Sequence, residues 1–183
     1  MNRNELNFDC DRPAKNDFTA TTYNLATGLT NYGSIEYYEG KKKCVESPDD
    51  LVPYGSLDAN EKSHYDIWMK YTTNDGSCIW YVFELKERNN PSDYYPTAFI
   101  NEEKWPEFVT YRDKGIIPCW VELYTDNKIR IWNLRTTDFC HLKCSMRFIK
   151  QINIDPDSPK KMQIRREIPM EWGNLLERLN GNV

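Results

Sequence analysis

Two apolar runs joined by Asn74-Asp75-Gly76 constrain the fold of this chain more than any other feature of its sequence. A three-residue loop of this kind is typical of a β-hairpin, with Gly at the position that favours a left-handed conformation. The loop pairs Thr73 with Ser77. The same register then places Asp66 directly opposite Glu84.

The two predicted strands, residues 65–72 and 78–86, sort their side chains onto two faces. The odd-numbered positions are all apolar or aromatic, which is typical of a face that packs on a core. The even-numbered face mixes charged and aromatic residues: Asp66, Trp68, Lys70, Cys78, Trp80, Val82, Glu84 and Lys86. A register shifted by one residue would mix the faces, so the apolar pattern argues against it.

Asp66 and Glu84 face each other at about 5 Å between Cβ atoms in this register, and Lys86 lies two residues further on the same side. Like charges in such a pair destabilise a sheet, so something must offset their repulsion. A divalent cation would do so, and hard oxygen ligands favour Mg²⁺ or Mn²⁺. The alternative is that both carboxylates lie at strand ends in solvent, with Lys86 as a local partner.

The segments YDIW, residues 65–68, and FELK, residues 83–86, resemble the PD-(D/E)xK nuclease superfamily. Its members include restriction endonucleases, Holliday-junction resolvases and phage recombination exonucleases. The resemblance covers about residues 29–134, although Tyr65 stands where the family name has proline. It implies an α/β fold of the restriction-endonuclease type, a mixed central sheet flanked by helices. It also implies a nuclease that uses Mg²⁺ or Mn²⁺ to hydrolyse phosphodiester bonds, with DNA as the expected substrate.

The resemblance assigns roles to five residues. Asp66 and Glu84 would bind the metal, and the carbonyl of Leu85 would complete the metal shell. Lys86 would position or activate the attacking water and stabilise charge on the phosphate. Glu36 would lie on the first helix of the core and approach the metal through water.

Four further residues are candidates for contact with nucleic acid. Lys104 matches a basic or amide residue that some members carry on the helix after FELK, and a solvated helix charge is the alternative. Tyr94 and Tyr95, in the loop after FELK, could stack on bases. Arg88 could contact phosphate.

The remaining segments complete a single predicted domain over residues 1–183, with its core at 29–134. Residues 1–25 are polar and are interpreted as an N-terminal arm. Helical spacing with Gly40 at the end predicts a helix over 29–40, and another is predicted over 100–115. Residues 118–134 should form a second hairpin that turns at Asp126-Asn127. Residues 135–183 are predicted to add strands and a short terminal helix whose apolar face holds Trp172, Leu175, Leu176 and Leu179.

Composition narrows the class of protein. The net charge is −4 and the pI is near 5.3, which does not support a basic surface that covers the whole molecule. No apolar run is long enough to span a membrane, and the N-terminus does not read as a secretory signal. We therefore expect a cytoplasmic protein with six free thiols and no membrane contact. The oligomeric state is left open, with a homodimer as one option.

Other chemistries are less well supported by the sequence. Cys140, His141 and Cys144, with Cys119 as a fourth ligand, suggest zinc, but their spacing is irregular and no second CxxC exists. Two histidines in all argue against an HNH nuclease, and no phosphate-binding loop motif is present. The alternative function is a non-catalytic module of the same fold that binds nucleic acid or protein, which the acidic pI mildly favours.

Overall fold

The computed structural model describes residues 14–23, 33–40, 47–53, 56, 65–149 and 161–179. Within these ranges two helices are found, α1 over residues 14–23 and α2 over Trp105–Asp113. The strands are β1 (Gly33–Glu39), β2 (Val52–Pro53), β3 (Ile67–Thr73), β4 (Cys78–Glu87), β5 (Thr97–Asn101), β6 (Ile117–Leu123), β7 (Lys128–Asn133), β8 (Cys144–Ile149), β9 (Lys161–Pro169) and β10 (Asn174–Glu177). Short 3-10 turns cover Pro48–Asp50, Glu102–Lys104, Phe139–His141 and Met170–Trp172.

The strands form one large and one small sheet. The large sheet has the order β10-β7-β6-β4-β3-β1-β2, and the small sheet has the order β5-β9-β8. All neighbouring strands are antiparallel except β4 and β6, which run parallel with α2 between them in the chain. The molecule is therefore mixed α/β with a large mixed sheet and few helices, as predicted at that coarse level.

The predicted hairpin and its register are confirmed. Ile67 faces Phe83 in the β3–β4 pair, and the turn closes through the Thr73 amide, which donates to the Ser77 carbonyl at 2.9 Å. Gly76 adopts a φ of 85°, the left-handed conformation that the loop requires. Strand β3 begins two residues later than predicted.

Each face of the large sheet packs against its own layer. On one face α1 contributes Ala14 and Phe18 to a core with Phe83 and its apolar neighbours. On the other face α2 and the small sheet pack against Trp68 and Trp120, which are 0% and 1% exposed. The even-numbered face of β4 is thus covered by protein at its centre and reaches the surface toward both ends of the strand.

The predicted helix over residues 29–40 is wrong where the structure describes it, because residues 33–39 form β1. The segment GSIEYYE alternates between more and less buried positions, and Ile35 pairs with Tyr71 of β3. Its β-branched and aromatic residues suit a sheet, so cross-strand pairing overrides the helical spacing. Residues 29–32 lie outside the described part of the chain.

The predicted terminal helix is also wrong. Asn174–Glu177 forms β10, which pairs with β7 and supplies it with a partner on its outer side. Gly173 permits this approach, since a Cβ there would lie 2.7 Å from the side chains of Arg130 and Trp132. Pairing of the β7 backbone outweighs the apolar spacing on which the helix prediction was based.

The sequence did not predict α1 within the N-terminal arm. Phe18 is fully buried, and Arg178 forms a salt bridge with Asp17 that ties this helix to the C-terminal segment. Residues 14–23 are therefore packed structure, whereas residues 1–13, 24 and 25 lie outside the described ranges.

The other secondary-structure predictions hold with shifted boundaries. The second hairpin is β6–β7, and Asn127 at its turn has a φ of 60°. The C-terminal strands β8 and β9 pair antiparallel. The helix predicted over residues 100–115 begins only at Trp105, with Pro106 in its first turn. No helix in the described ranges is both long enough and apolar enough to cross a membrane.

Candidate active site

Asp66 and Glu84 meet where β3 begins and β4 nears its end. The Asp66 amide donates to the Phe83 carbonyl at 3.1 Å, and its Oδ2 accepts the Leu85 amide at 2.7 Å. Glu84 is only 4% exposed. Burial and the neighbouring Glu84 carboxylate raise the pKa of Asp66 to about 6, although Lys86 opposes that increase. The predicted juxtaposition of two carboxylates is thus present.

Two lysines contact the two oxygens of Glu84. Lys86 Nζ lies 2.5 Å from Oε1, and Lys104 Nζ lies 3.2 Å from Oε2. Lys86 comes from the same strand, two residues on, while Lys104 ends the 3-10 turn that leads into α2. The side chain of Lys86 is 36% exposed, so the site opens to solvent on its side. The repulsion between the carboxylates is therefore offset, at least in part, by ammonium groups.

The lysines also lie over aromatic rings that fix their position. Lys86 Nζ is 5.7 Å from the centre of the Trp120 ring, and Lys104 Nζ is 5.3 Å from that of Tyr65. Tyr65 is 2% exposed and its hydroxyl donates to Glu107 of α2 at 2.9 Å. Contacts of this kind favour a cation over the ring face. Tyr65 and Trp120 thus hold the basic groups near Glu84. Tyr65 precedes β3 and packs in the core beside Trp68, not with the other odd-numbered residues as its position predicted.

A second pair of charges, which the sequence did not predict, brings a lysine near Asp66. Lys15 of α1 is 3.9 Å from Glu39 at the end of β1, and both side chains are buried. Lys15 also acts to lower the pKa of Asp66, which places its charge near that carboxylate. The interpretation of residues 1–25 as an arm and of 29–40 as a helix concealed both residues. The one sequence signal for this pair was Lys15 itself, a lysine near Ala14 and Phe18, which pack into the core.

Glu36 is not part of the site, in contrast to its predicted role. It is exposed on β1, where it accepts the Tyr38 hydroxyl at 2.6 Å and lies 3.3 Å from Lys70. These two partners hold the pKa of Glu36 below its ordinary value. Lys70 faces Trp80, which is four residues from Glu84 on β4. At the usual rise per residue of a strand, the Glu36–Lys70 pair is therefore displaced by about 13 Å from Glu84. The error follows directly from the wrong helix over residues 29–40.

The remaining predicted residues are distributed around this centre. The Leu85 side chain packs in the core on the opposite face of the sheet, and its carbonyl as a metal ligand stays a prediction. Tyr94 and Tyr95 are 63% and 47% exposed, with their rings 4.6 Å apart and edge to face. Arg88 continues the even-numbered face of β4 and forms a salt bridge with the buried Glu122.

The four residues considered for zinc do not come together. Cys119 lies in the core beneath α1, and burial raises the pKa of its thiol. Cys140 and Cys144 are exposed, and His141 Nδ1 lies 2.7 Å from Asp138. Across the described ranges, His, Cys, Asp and Glu side chains form no group of three or more that could hold a metal ion.

Comparison with known proteins gives no assignment: no family model, curated protein or solved structure matches this chain. The resemblance to the PD-(D/E)xK superfamily therefore stays a prediction based on the residues themselves.

Proposed function

We propose that this protein is a metal-dependent nuclease that hydrolyses phosphodiester bonds, with DNA as its expected substrate. The observation that carries the proposal is the convergence of Asp66, Glu84, Lys86 and Lys104 at one strand end that opens to solvent. The residues come from three separate segments of the chain. Two acidic groups and two lysines around one point match the needs of phosphodiester hydrolysis, which requires a deprotonated water and positive charge near the phosphate.

The order of elements supports the same proposal. Two strands are peripheral: β2 lies at the edge of the large sheet and β5 belongs to the small sheet. Without them, the order of elements along the chain up to β6 is α1, β1, β3, β4, α2 and β6. This is the α-β-β-β-α-β order of the core of the PD-(D/E)xK superfamily, with α1 as the first helix in place of the one predicted over residues 29–40. In that order Asp66 directly precedes the second core strand, Glu84 lies on the third, and Lys104 lies just before the second helix.

The carboxylate oxygens are of the type that Mg²⁺ and Mn²⁺ prefer. Asp66 and Glu84 are the residues that would hold the cation, which when bound lowers the pKa of a coordinated water. Because both oxygens of Glu84 contact lysines, binding requires at least one of these lysines to turn away. Lys86, the more exposed of the two, is the one positioned to turn toward a substrate phosphate.

A second candidate function is a binding module of the same fold without catalysis. The salt bridges from two lysines to both oxygens of Glu84 favour the binding module, since they offset the carboxylate charge without a metal ion. Such a network can serve to fix the strand end in place. The two candidates differ in whether metal changes what the protein does to nucleic acid.

The deciding experiment incubates the purified protein with plasmid, linear duplex, single-stranded and branched DNA in Mg²⁺, Mn²⁺, Ca²⁺ or EDTA. We expect cleavage in Mg²⁺ or Mn²⁺ only, and binding without turnover in Ca²⁺. Glu84→Ala and Lys86→Ala should each abolish cleavage, with losses that are not additive because both groups act on one transition state. Lys104→Ala should have a smaller effect.

The matched control is Lys70→Ala, which removes a lysine from the same face of the sheet but from a salt bridge with Glu36 outside the site. Its cleavage should equal that of the wild type, as should that of Glu36→Gln. Full cleavage by Lys86→Ala would show that the activity arises elsewhere. DNA binding that persists in EDTA, with no cleavage in either metal, would establish the binding module instead.

A further inference from the structure

Three arginines converge on a cavity between the two sheets. Arg88 follows the end of β4, while Arg147 and Arg165 come from β8 and β9 of the small sheet. All three line one cavity of about 150 Å³, together with aromatic residues that include Tyr95 and Phe99. A cavity of about this size in another protein admits a benzene molecule, so a group of phosphate size fits here.

The arginines of the small sheet are held by the face of an aromatic ring. The guanidinium groups of Arg147 and Arg165 lie 5.3 Å and 5.7 Å from the centre of the Phe99 ring. The Nε of Arg165 donates to Gln163 at 2.7 Å. Stacking and this hydrogen bond orient planar guanidinium groups before any ligand arrives, which lowers the entropy lost on binding.

The positive charge of the cavity exceeds its negative charge. Glu122 is the acidic residue in the lining, and its carboxylate accepts Arg88, Trp120 Nε1 at 3.1 Å and the Tyr124 hydroxyl at 2.7 Å. Within the described ranges neither Arg147 nor Arg165 forms a salt bridge.

Three guanidinium groups and one carboxylate leave a formal charge of +2 in the lining. Burial, Arg147 and Arg88 together lower the pKa of Arg165, which reflects the crowding of like charges. A dianion would relieve this repulsion.

We infer that this arginine cavity binds a phosphate monoester. A phosphate monoester carries about −1.5 to −2 charges near pH 7 and matches the excess positive charge better than the single charge of a phosphodiester. Arginine forms bidentate hydrogen bonds with phosphate oxygens, and Tyr95 offers an exposed ring beside them. The three arginines surround one pocket from both sheets, which suits a terminal group.

The phosphate could belong to a small metabolite or to the end of a nucleic acid strand. The strand end rests on the proposed nuclease function. Arg88 lies on the same face of β4 as Glu84, four residues or about 13 Å further along. That distance spans about four nucleotides at 3.4 Å each.

The test measures binding in EDTA, so that it does not depend on cleavage. Fluorescence anisotropy would compare labelled single strands and duplexes with a phosphate at the 5′ end, the 3′ end or neither. Thermal shifts with inorganic phosphate and a nucleoside monophosphate would report the small-molecule source. We expect a terminal phosphate to strengthen binding on the order of tenfold, as charge-assisted hydrogen bonds do.

Arg147→Gln and Arg165→Gln should each remove that preference, while the charge-matched control Arg135→Gln, an exposed residue, should retain it. Arg147 is exposed, so its variant keeps the test valid even where Arg165→Gln fails to fold. A shift with inorganic phosphate that depends on Arg147, without strand-end preference, would support the cavity and assign it to a small phosphate. Equal affinity for all strands, with no shift by either small phosphate, would overturn the inference. Failure of cleavage alone would leave it standing.

Discussion

Replacement of Asp66 by Asn should stabilise the protein at neutral pH, because ionisation of this carboxyl group costs more free energy in the folded protein than in the unfolded chain. Burial and Glu84 raise its pKa from 3.8 to about 6. A difference of about two in pKa, at about 1.4 kcal/mol each, sets an upper limit of about 3 kcal/mol on the cost of keeping the group ionised. Asn retains an oxygen that can accept the Leu85 amide and removes the charge that faces Glu84.

The sign of the pH dependence follows from the raised pKa. Well below pH 3.8 Asp66 is protonated in both folded and unfolded chains, so its raised pKa does not lower the free energy of unfolding. The cost grows as the pH rises from about 4 to about 6 and is complete above that range, where the folded protein must ionise a group that the unfolded chain ionises more easily. At pH 4.5 the cost of ionising Asp66 should be about a third of its value at pH 7.5, so the advantage of Asp66→Asn should be smaller at the lower pH.

Urea unfolding of the wild type and Asp66→Asn at pH 4.5 and 7.5 provides the measurement. The buried amide of Asn costs part of this free energy. We therefore expect Asp66→Asn to raise the free energy of unfolding by about 1–2 kcal/mol at pH 7.5, or the melting temperature by about 2–8 °C. Asp93→Asn makes the same chemical change on an exposed loop and should leave the unfolding free energy nearly unchanged. A loss of stability in Asp66→Asn at pH 7.5, or a gain that is equal at both pH values, would refute the reasoning.

Three further predictions concern metal and packing. Millimolar Mn²⁺ should raise the melting temperature of the wild type by mass action but not that of Asp66→Asn, and equal shifts in both would count against binding at Asp66 and Glu84. Gly33→Ala should lower the unfolding free energy by about 1–3 kcal/mol, since its Cβ would lie 2.2 Å from the Thr72 carbonyl oxygen. An unchanged unfolding free energy in a urea titration would contradict this clash. Trp68→Ala should cost about 3–5 kcal/mol because the side chain is fully buried, and a loss below 1 kcal/mol in the same titration would show that the core can collapse around it.

The β3–β4 hairpin could be predicted from the sequence because three signals agree there. Turn chemistry, alternation and the apolar face each select the same register, and Asp66 and Glu84 follow from it directly. Lys86 follows from its spacing on the same strand. Local information is sufficient wherever neighbouring residues in the site are also neighbours in one hairpin.

The rest of the site depends on contacts between distant segments. Lys15 comes near Asp66 and pairs with Glu39 only because α1 packs on β1 and the strands beside it, and neither element was predicted. Glu36 was misplaced because aromatic residues in β1 satisfy helical and strand spacing at once, and pairing with β3 decides between them.

The arginine cavity is a further example of this limit. Arg88, Arg147 and Arg165 are far apart in the sequence and come together through the packing of the small sheet on the large one. No periodicity in the chain reports that packing, which is a property of the tertiary fold.

The most direct test of the central claim is a crystal of the protein soaked in Mn²⁺, measured at a wavelength where manganese scatters anomalously. The proposed nuclease site predicts an anomalous peak within about 2.2 Å of carboxylate oxygens of both Asp66 and Glu84, with Lys86 or Lys104 turned away from Glu84. The peak should be absent from crystals of Asp66→Asn treated in the same way. Both lysines still bound to Glu84, with no manganese between the two carboxylates, would contradict the account.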